Sequence, residues 1–452
     1  MKDKFEWTKG PVTGFCNDTR VLKAGDVFLA LHLKGGRDGH EFLADAAAKE
    51  AVGAIVERVN PKIALPQLQV EDTLVAFQKI ARGYRESFKG TVIGVTGSCG
   101  KTSTKDLLAL LLGRHQTLAT KVNLNNFLGV PLTITGIDSL KHKFAIIEAG
   151  ISVVGEMQGI AECMQPDYMV LTGIEPVHLE GLGSLEGIAA QKCLLAKYTK
   201  QRIFLPARCL KLHAVKELNV KKTVIFKEGE SLSLDNVLGD ISVFCYSYER
   251  EKGGMLLKIT DKEQGTHRLF HVPEWTNGMV SNGCLAILMA SELGVSSGDI
   301  QQRLMEWSPP PHRGEVFEEG NKTYYVDCYN ANPVATWDRI ECFRIQSEGK
   351  SKLLVLGAMG GLGKNTDQLH FELGEKIAKN QKDDETIVII DEKAAALKDG
   401  LFSHHFPEKR IFFCKTKEEA KPIIDSFSGH VLIKGSHYLC LWELLPCRKM
   451  LF

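Results

Sequence analysis

Short apolar runs recur along the chain, separated by longer stretches whose apolar residues return at helical spacing, and this alternation predicts parallel sheets covered by helices. The predicted fold class is α/β. Strand candidates come first at Asp26 to Leu31 and Val52 to Val56, with a glycine-rich turn from Lys34 to His40 and an alanine-rich helical run from Ala44 to Ala51 between them. A helical stretch from Thr73 to Phe88 leads into the strand Thr91 to Thr96, which starts a βα series through Phe144 to Glu148, Tyr168 to Ile174 and Arg202 to Leu205. From Lys221 to Val272 the pattern shifts to shorter alternating segments such as Ile241 to Tyr246 and Met255 to Ile259, which predict an inserted or peripheral antiparallel sheet. Helices resume at Ser281 to Leu293.

The prolines of Ser308 to Pro311 lack N–H donors and restrict the residues before them, so they mark a break. Beyond it, strands at Leu353 to Gly357, Thr386 to Asp391, Arg410 to Cys414 and His430 to Lys434 alternate with helices such as Thr366 to Ala378 and Glu418 to Phe427. This is a Rossmann-like doubly wound pattern without the dinucleotide Gly-x-Gly-x-x-Gly fingerprint. The predicted domains are a small α/β unit at 1–86, a central mostly parallel sheet at 87–308, and the Rossmann-like unit at 309–452.

Composition narrows the classes of function. The chain has 452 residues, too many for one core and suited to about three domains. A net charge of +1 lacks the electrostatic footprint of a nucleic-acid binder, so small-molecule partners are expected. No apolar run reaches the roughly 18 residues of a membrane span, and the start, Met1 to Gly10, has no apolar core of a signal peptide. A cytoplasmic protein with no membrane partner is expected. The 12 cysteines are scattered without Cys-x-x-Cys pairs, as expected for reduced thiols that mostly pack the core.

The strongest local signal is an apolar strand, a glycine-containing turn and a lysine-threonine pair opening a helix, from Thr91 to Thr104. Gly97, Ser98, Cys99 and Gly100 form a turn whose N–H groups suit phosphate oxygens; Lys101 adds a full charge, and Thr102 and Ser103 begin the apolar helix. The Thr102 hydroxyl is placed to join a magnesium shell bridging nucleotide phosphates. The spacing is Gly-x-x-Gly-Lys-Thr, shorter than the general pattern, with Val95 where its first glycine falls. Glu148 ends an apolar strand, at the edge where open parallel sheets bind ligands, and its carboxylate suits a hard cation. His178 follows a strand at the same edge, as a metal ligand, a hydrogen-bond donor, or a histidine with only a structural role.

With these motifs the chain resembles the Mur ligases, which assemble the peptide stem of peptidoglycan, over nearly its whole length. The resemblance rests on Thr96 to Ser103 with its shortened spacing, Asn123 to Thr133, His178 to Gly187 and Asp327 to Pro333. The last segment, Asp-Cys-Tyr-Asn-Ala-Asn-Pro, is similar to the text of the branch that adds D-alanyl-D-alanine, with Cys328 in place of serine. It implies an ATP-dependent ligase with Mg2+, joining D-alanyl-D-alanine to UDP-N-acetylmuramoyl-tripeptide through an acyl phosphate, and a monomer is expected.

Residue by residue, the resemblance implies magnesium ligands at Thr102, Glu148 and His178, with Lys192 as a fourth if carbon dioxide carbamylates it. Lys101, His178 and Lys192 are the implied catalytic groups. Asn123, Asn125 and Asn126, with Thr19 and Arg20 in a first domain that holds the uridine part, are implied contacts of the nucleotide-sugar substrate. Asn282, Arg313, Asp327 and Asn330 are implied contacts of ATP, the last three from a third domain that also binds the amine substrate and closes on the central one. Departures from the family pattern fall at Met279, where a second asparagine is usual, at Ala358 and Gly361, where acidic residues are usual, and at His437, where an arginine is usual. A sibling ligase, with another amine on the same sugar-peptide or glutamate on a folate, would keep the loop and its ligands but not the segment Tyr329 to Pro333. A switch NTPase would need the loop alone.

Overall fold

The computed structural model describes residues 5–32 and 35–446, arranged on three sheets. Residues 1–4 of the predicted start, Lys34 of the predicted turn and the final residues 447–452 lie outside the described residues.

The first sheet has four parallel strands in chain order, Gly14–Cys16, Asp26–Leu29, Gly53–Val56 and Gln67–Gln69. Every residue of the two inner strands is buried, which is why they stand out as continuous apolar runs. The outer two are short and only partly buried, so nothing in the apolar pattern announces them. The helix Thr73–Ser87 starts where the Asp72 carboxylate accepts from Val75 N at 2.8 Å, and it buries Phe77, Ala81 and Arg85 at four-residue intervals. Arg85 links this unit to the next: its guanidinium donates to Met164 O and pairs with Asp167 at 2.9 Å, while Asp167 also accepts from Val92 N at the start of the central sheet.

The central sheet runs, from one edge to the other, His267–Val272, Gly254–Asp261, Ile241–Glu251, Lys221–Lys227, Arg202–Pro206, Tyr168–Leu171, Thr91–Thr96, Phe144–Glu148 and Thr117–Ala119. One expectation is corrected here. Ile241–Glu251 and Gly254–Asp261 pair antiparallel at the periphery as predicted, but the segment from Lys221 to Val272 is one edge of the central sheet rather than a sheet of its own. Lys221–Lys227 pairs in parallel with both Arg202–Pro206 and Ile241–Glu251, and only the last two strands turn antiparallel. The cause is the long connection after Lys227, which returns the chain to the starting end of the sheet; the buried Lys222 amine fastens it by donating to the carbonyls of Leu218, Val220 and Leu238. Thr91–Thr96 lies between Phe144–Glu148 and Tyr168–Leu171, and the chain adds strands first on one side of it and then on the other. That makes its carboxyl end the topological switch point of the sheet.

The third sheet has the order Glu315–Glu319, Lys322–Asp327, Gly429–Lys434, Lys352–Gly357, Glu385–Ile390 and Ile411–Cys414, parallel except for the edge hairpin that opens it. Helices cover both faces, and the bidentate pair Arg344–Glu385, at 2.6 and 2.7 Å and almost fully buried, ties helix Pro333–Gln346 to an inner strand. The sheet begins one hairpin earlier than the apolar pattern predicts, and the added strand ends at Asp327. Every cysteine among the described residues is free, and most are buried. Among the described residues no helix is long and apolar enough to cross a membrane.

Candidate active site

The loop from Gly97 to Gly100 joins Thr91–Thr96 to the helix Lys101–Leu112 at the switch point. Two of its positions require glycine. Gly97 has φ +146° and Gly100 φ +76°, and a Cβ on either would sit 2.0 Å from Thr172 Oγ1 or 2.1 Å from Asn282 Nδ2. The turn is pinned by neighbouring loops: Ser98 N donates to Gly173 O at 2.9 Å, Ser98 Oγ to Glu175 O at 3.0 Å, and Thr172 Oγ1 to Cys99 O at 2.5 Å. Gly100 offers the helix no side-chain cap, so its first amides stay open to an anion. The Lys101 amine folds back onto Gly97 O at 2.9 Å.

Glu148, 1% exposed, comes from the adjacent strand, with Thr102 Oγ1 donating to its Oε2 at 3.0 Å and Asn125 Nδ2 donating to its Oε1 at 2.8 Å. No cationic side chain pairs with this buried carboxylate among the described residues. A hydroxyl and an unpaired carboxylate converging on a phosphate loop are hard oxygen donors that fit Mg2+. Among the described residues no group of three or more His, Cys, Asp and Glu is arranged to hold a metal, so the fit rests on this mixed donor set.

His178 has φ +53°, an uncommon conformation for a non-glycine residue, where the chain leaves strand Tyr168–Leu171 and enters the short helix Leu179–Leu182. Burial, then the charges of Lys101 and Lys192, hold its imidazole below the ordinary 6.5, which favours the neutral, ligating form. Lys192, on helix Leu185–Lys197, is 1% exposed and has no hydrogen-bond or ion-pair partner among the described residues. Burial and the nearby Lys101 charge push its amine well below 10.5.

The third sheet supplies the facing wall. Asp327, at the end of its strand, pairs with the buried Lys434 amine at 3.0 Å, and the same amine donates to Asn330 O at 2.6 Å. Asn332 caps helix Pro333–Gln346 through Ala335 N at 2.9 Å and donates its other amide group to Cys99 Sγ of the phosphate loop. The Tyr329 hydroxyl donates to Asn123 Oδ1, and the Arg313 guanidinium lies 3.8 Å above the Tyr329 ring.

A cavity of about 590 Å³ opens between these walls. It is lined by Ser98 to Ser103, Asn123, Asn125, Asn126, Glu148, His178, Asn282, Arg313, Asp327 and Asn330, residues drawn from seven separate stretches of sequence. Gly97 and Lys192 do not line it: the first turns the loop from behind, and the second lies buried within electrostatic range of Lys101 and His178. Thr19 and Arg20 are not brought to it either. Arg20 pairs with Asp18 at 2.7 Å on the exposed surface of the first unit, and Thr19 O accepts from Lys49 at 2.6 Å. Asn126 also has a local task, its Oδ1 accepting from Gly129 N at 2.8 Å. The residues that sequence reasoning gave no role are Tyr329 and Asn332, inside the segment Asp327 to Pro333, Lys434, at the end of a predicted strand, and Trp275, Trp307 and Arg339, for which no motif gives a signal.

The departures from the family pattern fall in distinct places. Met279 lines the cavity, Ala358 is fully buried in the core, and His437 packs between Tyr329 and Trp442 at 4.9 and 4.8 Å. Gly361 O accepts from Leu179 N at 3.1 Å, so its loop supports the turn that follows His178. That loop is held by His370, fully buried, whose Nδ1 donates to Thr366 O at 2.7 Å and whose Nε2 accepts from Met359 N at 3.0 Å. Protonating Nε2 would set two donors against each other, and burial holds the pKa below the ordinary 6.5. Between the folded and unfolded values the unfolded chain binds more protons, so stability rises with pH there. We expect denaturant titrations to show this contribution complete above about 6.5, lost as pH falls through the lower folded value, and removed by His370→Asn.

The chain matches the models for the Mur ligase middle domain over residues 95–290 and the Mur ligase glutamate ligase domain over 312–437. It is 30% identical over 370 residues to the UDP-N-acetylmuramoyl-tripeptide--D-alanyl-D-alanine ligase of Synechocystis sp., covering 81% of this chain and 77% of that one. To the enzyme of the same name from Bacillus subtilis it is 28% identical over 454 residues, covering 96% and 92%. A crystal structure of MurF from Acinetobacter baumannii superposes with a TM-score of 0.81 at 26% identity, over 96% of this chain and 93% of that one. The chain belongs to the Mur ligase family. It therefore has the family's three-part α/β fold, with the phosphate loop in the middle part and the segment from Asp327 in the last.

Proposed function

We propose that the chain uses ATP to join the amine of D-alanyl-D-alanine to the terminal carboxylate of UDP-N-acetylmuramoyl-tripeptide, a step in peptidoglycan precursor synthesis. The observation that carries this reading is the single cavity in which the phosphate loop, Glu148 and the Asp327 to Asn332 segment face one another. In this reading residues 1–86 hold the uridine end through Thr19 and Arg20, residues 87–308 hold ATP, and residues 309–452 bring the amine.

The substrate carboxylate attacks the γ-phosphorus of ATP to give an acyl phosphate and ADP; the amine then attacks the acyl carbon and releases phosphate. The loop amides and Lys101 are placed to offset charge on the phosphoryl oxygens, with Arg313 as a clamp from the opposite wall. Thr102, Glu148 and His178 would hold Mg2+, which supplies Lewis-acid neutralisation of the phosphates when bound. Asn123, Asn125 and Asn126 orient the sugar-peptide, and Asn125 also fixes the Glu148 carboxylate. Asn282, Asp327 and Asn330 contact the nucleoside.

Lys192 suits carbamylation because the reaction with carbon dioxide requires a neutral amine and produces an anion. Burial supplies the first condition, and the neighbouring Lys101 charge stabilises the second.

Phosphate release from ATP should require both the sugar-tripeptide and D-alanyl-D-alanine. Free amino acids or glutamate in place of the dipeptide should give background rates, and release independent of both substrates would overturn the ligase reading.

A further inference from the structure

The guanidinium of Arg339, in the cavity wall, lacks the partner that a buried cation needs. It is 4% exposed, and its Nε and Nη2 are buried with no acceptor. No carboxylate pairs with it among the described residues; the face of Tyr325, 5.7 Å away, is its nearest electrostatic support. Its neighbour Asp338 is occupied elsewhere, accepting from Asn277 N and Gly278 N at 2.9 Å each. A buried guanidinium in this condition destabilises the folded chain unless something supplies acceptors.

The surrounding wall indicates what does. Trp275, Trp307 and Met279 line the same cavity, with the two indoles edge to face at 5.7 Å. The indole N–H groups of both tryptophans and Asn282 Oδ1 are also buried without partners. Unmet donors and an unmet acceptor thus line one cavity together with two indoles, a combination that matches a purine nucleoside, which has ring and sugar acceptors and, in adenosine, an exocyclic amino donor. The phosphate loop meets the start of the same helix at Asn332, and Arg339 lies seven residues further on, about 10 Å along the axis.

We propose that Arg339 is a specificity-determining contact for the nucleoside half of the bound nucleotide, donating to its base and sugar acceptors beside the Trp275 and Trp307 wall. The proposal rests on the ATP reading given above. The same contact explains a buried charge that the resting fold leaves uncompensated.

Titration calorimetry of the full chain with ADP and with inorganic tripolyphosphate, which has no nucleoside, tests this. Arg339→Met should weaken ADP binding about tenfold or more while leaving tripolyphosphate within about twofold. The melting temperature of the nucleotide-free variant should not fall, because an apolar side chain of similar length replaces an unpaired charge. Arg339→Lys, which keeps the charge but not the fork of donors, should give an intermediate loss for ADP alone. Equal losses for both ligands would assign the residue to phosphate and overturn the proposal, as would unchanged ADP affinity or a lowered melting temperature without selective loss. Wild-type protein that binds neither ligand would instead overturn the ATP reading itself.

Discussion

Lys101→Met should abolish acyl-phosphate formation, with kcat falling roughly a thousandfold or more, the scale seen when a preorganised donor to developing charge is removed. The loop geometry around it should survive. Gly97, Gly100, Ser98 and Thr172 fix the turn through their own backbone and hydroxyl contacts, and Lys101 contributes only the bonds from its amine to loop carbonyls. The melting temperature should therefore change little while phosphate release is lost. Rapid-quench detection of the acyl phosphate checks this; a variant that forms the intermediate at the wild-type rate would remove Lys101 from the chemistry.

The second large effect is expected at Lys192. Lys192→Ala should cost roughly a hundredfold at least, comparable to losing an important partner around a metal site. Short carboxylic acids should restore part of the rate by placing an oxygen anion where the carbamate would lie. Native mass spectrometry should find the mass of one bound carbon dioxide on the wild-type chain and none on the variant. Loss of activity without rescue and without that added mass would leave Lys192 as a buried structural amine.

Much of this architecture was legible because the chemistry and the apolar pattern coincide. Thr91 to Thr96 and Phe144 to Glu148 appear at their predicted bounds because fully buried parallel strands are continuous apolar runs. Their carboxyl ends then place Gly97 to Thr102 and Glu148 together without further information. The strand Lys322–Asp327 was less visible, since it begins with Lys322 and Thr323 near the sheet edge and only Tyr324 to Val326 are apolar. The parallel pairing of Ile241–Glu251 was illegible for a different reason. Alternation of buried and exposed residues describes how a strand is covered, whereas its direction depends on where the connection before it returns, and the Lys222 contacts that fasten that return come from the neighbouring strand rather than from its own pattern. Arg339 illustrates a third limit: a charged residue within a helix looks solvated until the opposing wall is known.

The segment from Tyr329 to Asn332 touches the central part at both Asn123 and Cys99, with Asp338 and Gly361 adding contacts nearby. Hydrogen bonds of this kind contribute about 1 kcal/mol each, so a handful of them holds the last part against the central one by a few kcal/mol. On the proposal that the last part closes on ATP and opens for release, a margin of that size leaves bound ligands to set the balance. Each substrate that bridges the walls would then add to the closed population, and the loss of the ATP γ-phosphate on turnover would remove a share of it, so the reaction itself would reset the chain for release.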